Sequence, residues 1–288
     1  MASDSRFAVL IDADNVSVRY IKIILDEISK DGIATYKRIY GDWTNPSLIS
    51  WKSTLLDNSI IPIQQYSYTS GKNSTDSAMI IDAMDILYSG QVEGFCLVSS
   101  DSDFTRLAAR LRESGMTVIG MGESKTPNSF IAACNKFKYL DILAAADEEE
   151  PEETVKQQEA AKKAPAQKKA PARKTAAASK KPKEDSKAEK EPKAETKKQQ
   201  EKAIEEPRTS LQTIRRALRT IARENSDEDN WIMVSQVGNL LDKRYTDFDV
   251  RNFGFSKLTP FLESLDMFEI KDMKKDGNSS PQKYVRLK

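Results

Sequence analysis

At 288 residues the chain is long enough for two ordinary domains. It contains no histidine, which excludes Ser-His-Asp and Cys-His catalysis, imidazole bases and His-ligated zinc. The 45 basic and 44 acidic side chains nearly cancel, but not locally: residues 1–146 hold 14 basic and 17 acidic ones, 151–207 hold 16 and 11, and 208–288 hold 15 and 12. A mildly acidic N-terminal part therefore precedes segments that tolerate polyanions.

Met1–Arg6 is polar and unlike a signal peptide, and the first apolar run, Phe7–Ile11, has the form of a strand buried on both faces. Val16–Ser29 has helical spacing through Ile21, Ile24, Leu25 and Ile28, and Gly32 breaks it. Ala34–Tyr40 predicts a second strand, Pro46–Leu56 a helix, Ile60–Gln64 a third strand and Tyr68–Ser74 a polar loop. Asp76–Tyr88 is helical, with Met79, Ile80, Ala83, Met84 and Leu87 on one face. Gly94–Ser99 is a fourth strand, Phe104–Ser114 a helix and Thr117–Met121 a fifth strand. The alternation predicts an α/β sandwich with a mainly parallel sheet. Cys96 and Cys134 sit in apolar segments, give no disulfide framework and suit a reducing, cytoplasmic setting.

Residues 151–207 have no aromatics, and Val155 and Ile204 are their only large aliphatics, so 146–207 is expected to be a disordered Lys/Ala/Glu/Pro linker. Apolar spacing returns in Leu211–Ile221, Trp231–Leu241 and Leu258–Leu265, which predict three helical units. Phe268–Ile270 and Tyr284–Leu287 then read as two strands around a polar turn. Together these give the outline of a small winged-helix-like domain. No apolar run approaches membrane-spanning length.

The aspartates carry the functional signal. Asp12 follows the first strand in Leu10-Ile-Asp-Ala-Asp-Asn15, Asp101 and Asp103 follow the fourth, and Asp76 opens the third helix. Ligands of open parallel sheets bind beyond the carboxyl ends of the strands, where the strand order reverses. If the first strand neighbours the fourth, that crevice joins Asp12 to Asp101, and Asp76 starts on the same edge. Converging carboxylates repel unless a cation neutralises them, and an oxygen-only donor set suits Mg²⁺ or Mn²⁺. Taken singly, each aspartate has a duller reading as a turn residue or helix-terminal charge. Asp82 lies about 240° around the helix from Asp76, away from the proposed site.

These residues resemble the NYN domain of the PIN-like nucleases, closest to its LabA-like and limkain-type branch. The resemblance runs through Leu10–Asn15, Lys72–Asp76, Leu97–Phe104, Gly115–Gly120 and Thr126–Phe137, and covers 5–145. It implies a PIN-like, Rossmannoid three-layer sandwich in which Asp12, Asp76, Asp101 and Asp103 hold divalent metal for phosphodiester hydrolysis. Asn15 would line that site and Ser99 would sit beside it. If the site is a ribonuclease, Lys72 is expected to orient the phosphate. Asp14 matches less firmly, because that position varies in the motif. Residues 208–288 resemble the OST-HTH/LOTUS domain through Leu211…Leu218, Trp231, Ser235–Gly238, Phe248-Asp249, Asn252–Leu258 and Tyr284–Leu287. That resemblance implies RNA, single-stranded by expectation, or a protein partner. By their charge, Lys243, Arg244, Arg251 and Lys257 are candidate phosphate contacts, though Arg or Lys on a solvated face is common. Three functions stay open at this point: a metal-dependent ribonuclease, a non-catalytic RNA-binding regulator, and, remotely, a haloacid-dehalogenase-type phosphatase built on Asp12-Ala-Asp14.

Overall fold

The computed structural model describes residues 5–66, 74–147, 209–273 and 281–288. The expected linker, apart from 146 and 147, and Lys72 lie outside the described residues, which form one compact unit.

The first part is a six-stranded sheet, every neighbouring pair parallel, in the order β3-β2-β1-β4-β5-β6. Its strands are β1 (Arg6–Asp12), β2 (Ile33–Gly41), β3 (Ile61–Gln64), β4 (Gly94–Val98), β5 (Thr117–Gly122) and β6 (Lys136–Tyr139). Side chains alternate between the two faces. Phe7, Val9 and Ile11 of β1 therefore join one core, with residues of α1 (Ile21–Asp31), α2 (Trp51–Asp57) and a helix over 140–147, here α6. Ala8 and Leu10 join the other, under α3 (Ser74–Ser89), α4 (Thr105–Glu113) and α5 (Asn128–Ala133). Cys96 and Cys134 are wholly buried and free, each thiol pushed up to about 12 by burial, as core residues should be.

Two elements depart from the expected five strands. β6 and α5 fill the 126–139 stretch, with Lys136 and Lys138 alternating with Phe137 and Tyr139 across the last strand. The helix expected from Val16 starts at Ile21, after a 3-10 turn over Val18–Tyr20.

The C-terminal part has α7 (Leu211–Asn225), α8 (Val234–Arg244), α9 (Leu258–Ser264) and an antiparallel sheet, β7-β9-β8, of Ile232–Met233, Gln282–Leu287 and Phe268–Met273. The three helices and the hairpin match the expected outline. β7 adds a strand where the sequence shows only the head of a helical unit. Gly254 ends the 3-10 turn Val250–Phe253 at φ +78°, a conformation that favours glycine.

This part packs on β6 and α1 through polar contacts. The Phe137 N–H donates to the Thr246 carbonyl at 2.7 Å. The Tyr139 hydroxyl donates to Asp247 at 3.2 Å, and Asp247 also accepts from the backbone and hydroxyl of Thr209. Arg251 donates through both terminal nitrogens to the two oxygens of Glu27, at 2.6 and 2.9 Å. Glu27, 3% exposed, also pairs with Lys30 and Lys138, and Lys138 reaches on to Asp31. Burial alone would push the Glu27 carboxyl up, but bonds from Arg251, Lys30 and Lys138 outweigh it and hold it far below the usual range. The Arg251 guanidinium is thus held by Glu27 and Asp249. The sequence reading placed it among phosphate contacts, but its donors already face two carboxylates.

Two outcomes follow for stability. A Cβ on Gly94 would lie 2.3 Å from the Phe7 ring and 2.7 Å from the Thr117 carbonyl oxygen, so Gly94→Ala is expected to cost about 1–3 kcal/mol by urea unfolding. Glu27→Gln should cost about 2–4 kcal/mol at neutral pH, since it strips Arg251 of a buried partner. Because the folded Glu27 carboxyl is depressed, the wild type holds this advantage above about pH 4.5 and loses it as the pH falls further. Thermal melts of both proteins at several pH values should therefore converge in acid.

Candidate metal centre

β1 and β4 pair in parallel from Phe7↔Gly94 to Ile11↔Val98, so both chains leave the sheet side by side. Asp12, the last residue of β1, is 1% exposed. Its Oδ2 accepts from the Ser99 hydroxyl and from Asn15 Nδ2, each at 2.8 Å, and its Oδ1 accepts from the Asp14 N–H at 3.0 Å. The Ser99 hydroxyl in turn accepts from the Asp101 N–H at 3.1 Å, linking the two strand ends through one oxygen. Burial pushes the Asp12 carboxyl up against the lowering effect of these bonds.

Asp101 then caps a 3-10 turn, Ser102–Phe104, by accepting from the Asp103 N–H at 2.9 Å. Buried Phe104 pins that turn to the core. The turn-residue reading of Asp101 is thus correct as far as it goes, and the same turn aims carboxylates outward. Asp76 comes from the first turn of α3. Asp76, Asp101 and Asp103 each offer an oxygen, and these three atoms lie within 4.8 Å of one another. Among the described residues no Lys or Arg forms an ion pair with Asp12, Asp76 or Asp101. Burial, then the charges of Asp12, Asp101, Asp103 and Asp14, push the Asp76 carboxyl up to about 6.

The structure therefore divides the four expected aspartates. Three converge, while Asp12 stands beside them with its carboxylate engaged by three donors. Asn15 is exposed at the rim, and Ser99 is fully buried. Asp82 pairs instead with Arg38 and the Tyr40 hydroxyl. The sequence reading missed Thr75, whose buried hydroxyl donates to Asp14 at 3.0 Å. Its place beside Asp76 at the mouth of a helix was the available signal. The donor chemistry fits a hard divalent cation: oxygens only, closely spaced, partly desolvated and mutually repelling.

The family model described as NYN domain matches residues 6–141, and the one described as OST-HTH/LOTUS domain matches residues 205–279. The chain joins an NYN domain to an OST-HTH/LOTUS domain. A crystal structure of a protein of unknown function from Vibrio parahaemolyticus is similar to it at 18% identity and a TM-score of 0.41, covering 48% of this chain and 93% of that one. No curated protein matches the sequence significantly.

In the NYN domain the raised Asp76 value has a definite sign. The folded state takes up a proton more readily than the unfolded chain, so this group destabilises the fold increasingly as the pH rises from about 4 through about 6. Asp76→Asn is therefore expected to stabilise the metal-free protein by on the order of 1 kcal/mol at neutral pH, with no gain in acid. Mg²⁺ or Mn²⁺ should raise the melting temperature of the wild type saturably and leave an Asp76→Asn/Asp101→Asn variant unmoved. Ser99→Ala removes the shared oxygen and should cost about 1–3 kcal/mol in chemical denaturation.

Proposed function

We propose that the NYN domain is a ribonuclease that hydrolyses phosphodiester bonds with Mg²⁺ or Mn²⁺ held by Asp76, Asp101 and Asp103. The observation that carries this reading is the set of three carboxylate oxygens within 4.8 Å of one another at the switch point of a parallel sheet, with Asp76 pushed to about 6 by burial and then by its acidic neighbours. A bound divalent cation supplies charge neutralisation, polarisation of a phosphoryl oxygen and activation of a water. Asp12 lines the base of the site, its carboxyl oxygens locked in orientation by Ser99, Asn15 and the Asp14 N–H. Ser99 keeps the ends of β1 and β4 in register through its paired bonds to Asp12 and Asp101. Asn15, exposed beside Asp12, has an amide oxygen at the rim of the site, where the substrate would enter. In this reading Lys72 orients the phosphate, and single-stranded RNA is held by the OST-HTH/LOTUS domain, whose Lys243, Arg244 and Lys257 are exposed.

No helix among the described residues is long and apolar enough to cross a membrane. Cytoplasmic action on RNA is part of the proposal.

The test is cleavage of end-labelled single-stranded RNA by the full-length protein in Mn²⁺, Mg²⁺ or EDTA. Metal-dependent cleavage that drops by about 100-fold or more in Asp12→Asn/Asp101→Asn, equivalent to about 3 kcal/mol of barrier, is the expected result. Binding of RNA without turnover in any metal would assign the chain to non-catalytic regulation.

A further inference from the structure

α7 has two unlike faces. Ile214, Ala217, Leu218, Ile221 and Ala222 are buried in the C-terminal core. Arg215 is also held inward, its Nη2 donating to the Leu265 carbonyl at 2.7 Å. The other three arginines, Arg216, Arg219 and Arg223, are exposed. At about 100° per residue they fall within an arc of about 60°, and at about 1.5 Å per residue they extend over roughly 10 Å of helix. None of the three forms an ion pair among the described residues. Elsewhere in the C-terminal part, Arg251, Lys283, Arg286 and Lys288 face carboxylates, while Lys243, Arg244 and Lys257 are exposed but do not form a stripe on one helix face with these three. Glu224 is the acidic residue of this helix, and it lies about 80° round from Arg216, at the edge of the stripe.

We propose that Arg216, Arg219 and Arg223 form a binding site for the phosphate backbone of single-stranded nucleic acid. Guanidinium groups present fixed forks of donors that match phosphate oxygens, which suits arginine rather than lysine on a rigid helix. The stripe is long enough to meet successive phosphates of an extended strand. The apolar face is locked in the core and Arg215 fastens the helix to the turn after α9, so the three side chains project from an ordered base. The site reads charge and spacing, and carries no base specificity. It relies on the ribonuclease reading only for RNA as the probe.

The experiment uses full-length protein in EDTA, so that binding is measured without cleavage. A fluorescein-labelled oligouridylate is titrated by fluorescence anisotropy over a range of salt concentrations. The variants are Arg216→Gln/Arg219→Gln/Arg223→Gln and, as a control equal in charge removed, Lys22→Gln/Lys52→Gln/Arg110→Gln, all exposed on the NYN domain. The stripe variant should bind roughly tenfold more weakly near physiological salt, with the slope of log K against log salt reduced by about 2, as expected for three lost phosphate contacts at about 0.7 each. The control should bind like wild type. Equal losses in both variants, no loss in the stripe variant, or full competition by poly-L-glutamate would each overturn the site. All substituted side chains are exposed, and thermal melts verify folding. Weakened binding by the stripe variant, with no cleavage by wild type in Mn²⁺, keeps this site and removes the nuclease reading. Unchanged binding alongside metal-dependent cleavage does the reverse.

Discussion

The parallel pairing of β1 with β4 is the constraint from which the rest of the site follows. It sets two strand ends beside each other at the point where the sheet order turns back, with no intervening strand to cover them. Asp12 and Ser99 meet there because each stands at or just after the last paired residue of its strand. Once Ser99 bridges to the Asp101 N–H, the direction of the following turn is fixed, and Asp101 and Asp103 are carried toward Asp76. The arrangement depends on buried apolar strands holding their register, since a slip of one residue would turn every side chain to the opposite face.

Two acidic groups in the same domain show how surroundings, rather than residue type, decide behaviour. Glu27 and Asp31 lie among Lys30, Lys136, Lys138 and Arg251, and both carboxyls are lowered despite burial. Asp76 lies among carboxylates and is raised. The first group is electrostatically complete and holds structure together. The second gathers like charges, and closely spaced carboxylate oxygens on an open edge suit a positively charged ligand.

Much of this was legible in the residues. Continuous apolar runs marked β1 and β4 because strands buried on both faces admit little else. The aspartates at their ends were visible as breaks in those runs. β6 was harder, because Lys-Phe-Lys-Tyr is a polar edge whose lysines make sense only opposite Asp31 and Glu27, more than a hundred positions earlier. β7 is two residues long and exists through its pairing with β9. The role of Arg251 was hidden for the same reason: a charged side chain looks alike in sequence whether it faces water or a buried glutamate. Nor could spacing show that Asp12 would already be engaged by three donors while its neighbours converged.

The bond between Glu27 and Arg251 spans 224 positions, and that separation orders events during synthesis. The sheet has all six strands once residue 139 has emerged, while the guanidinium that completes the Glu27 network is still to be made. At ordinary elongation rates the interval is on the order of ten seconds. Through that interval Glu27 has Lys30 and Lys138 as the partners already made, and the last strand presents a backbone N–H that Thr246 has yet to meet. Docking of the C-terminal part is thus a late step in the life of each chain, and the β6 edge is open to other strands until it happens.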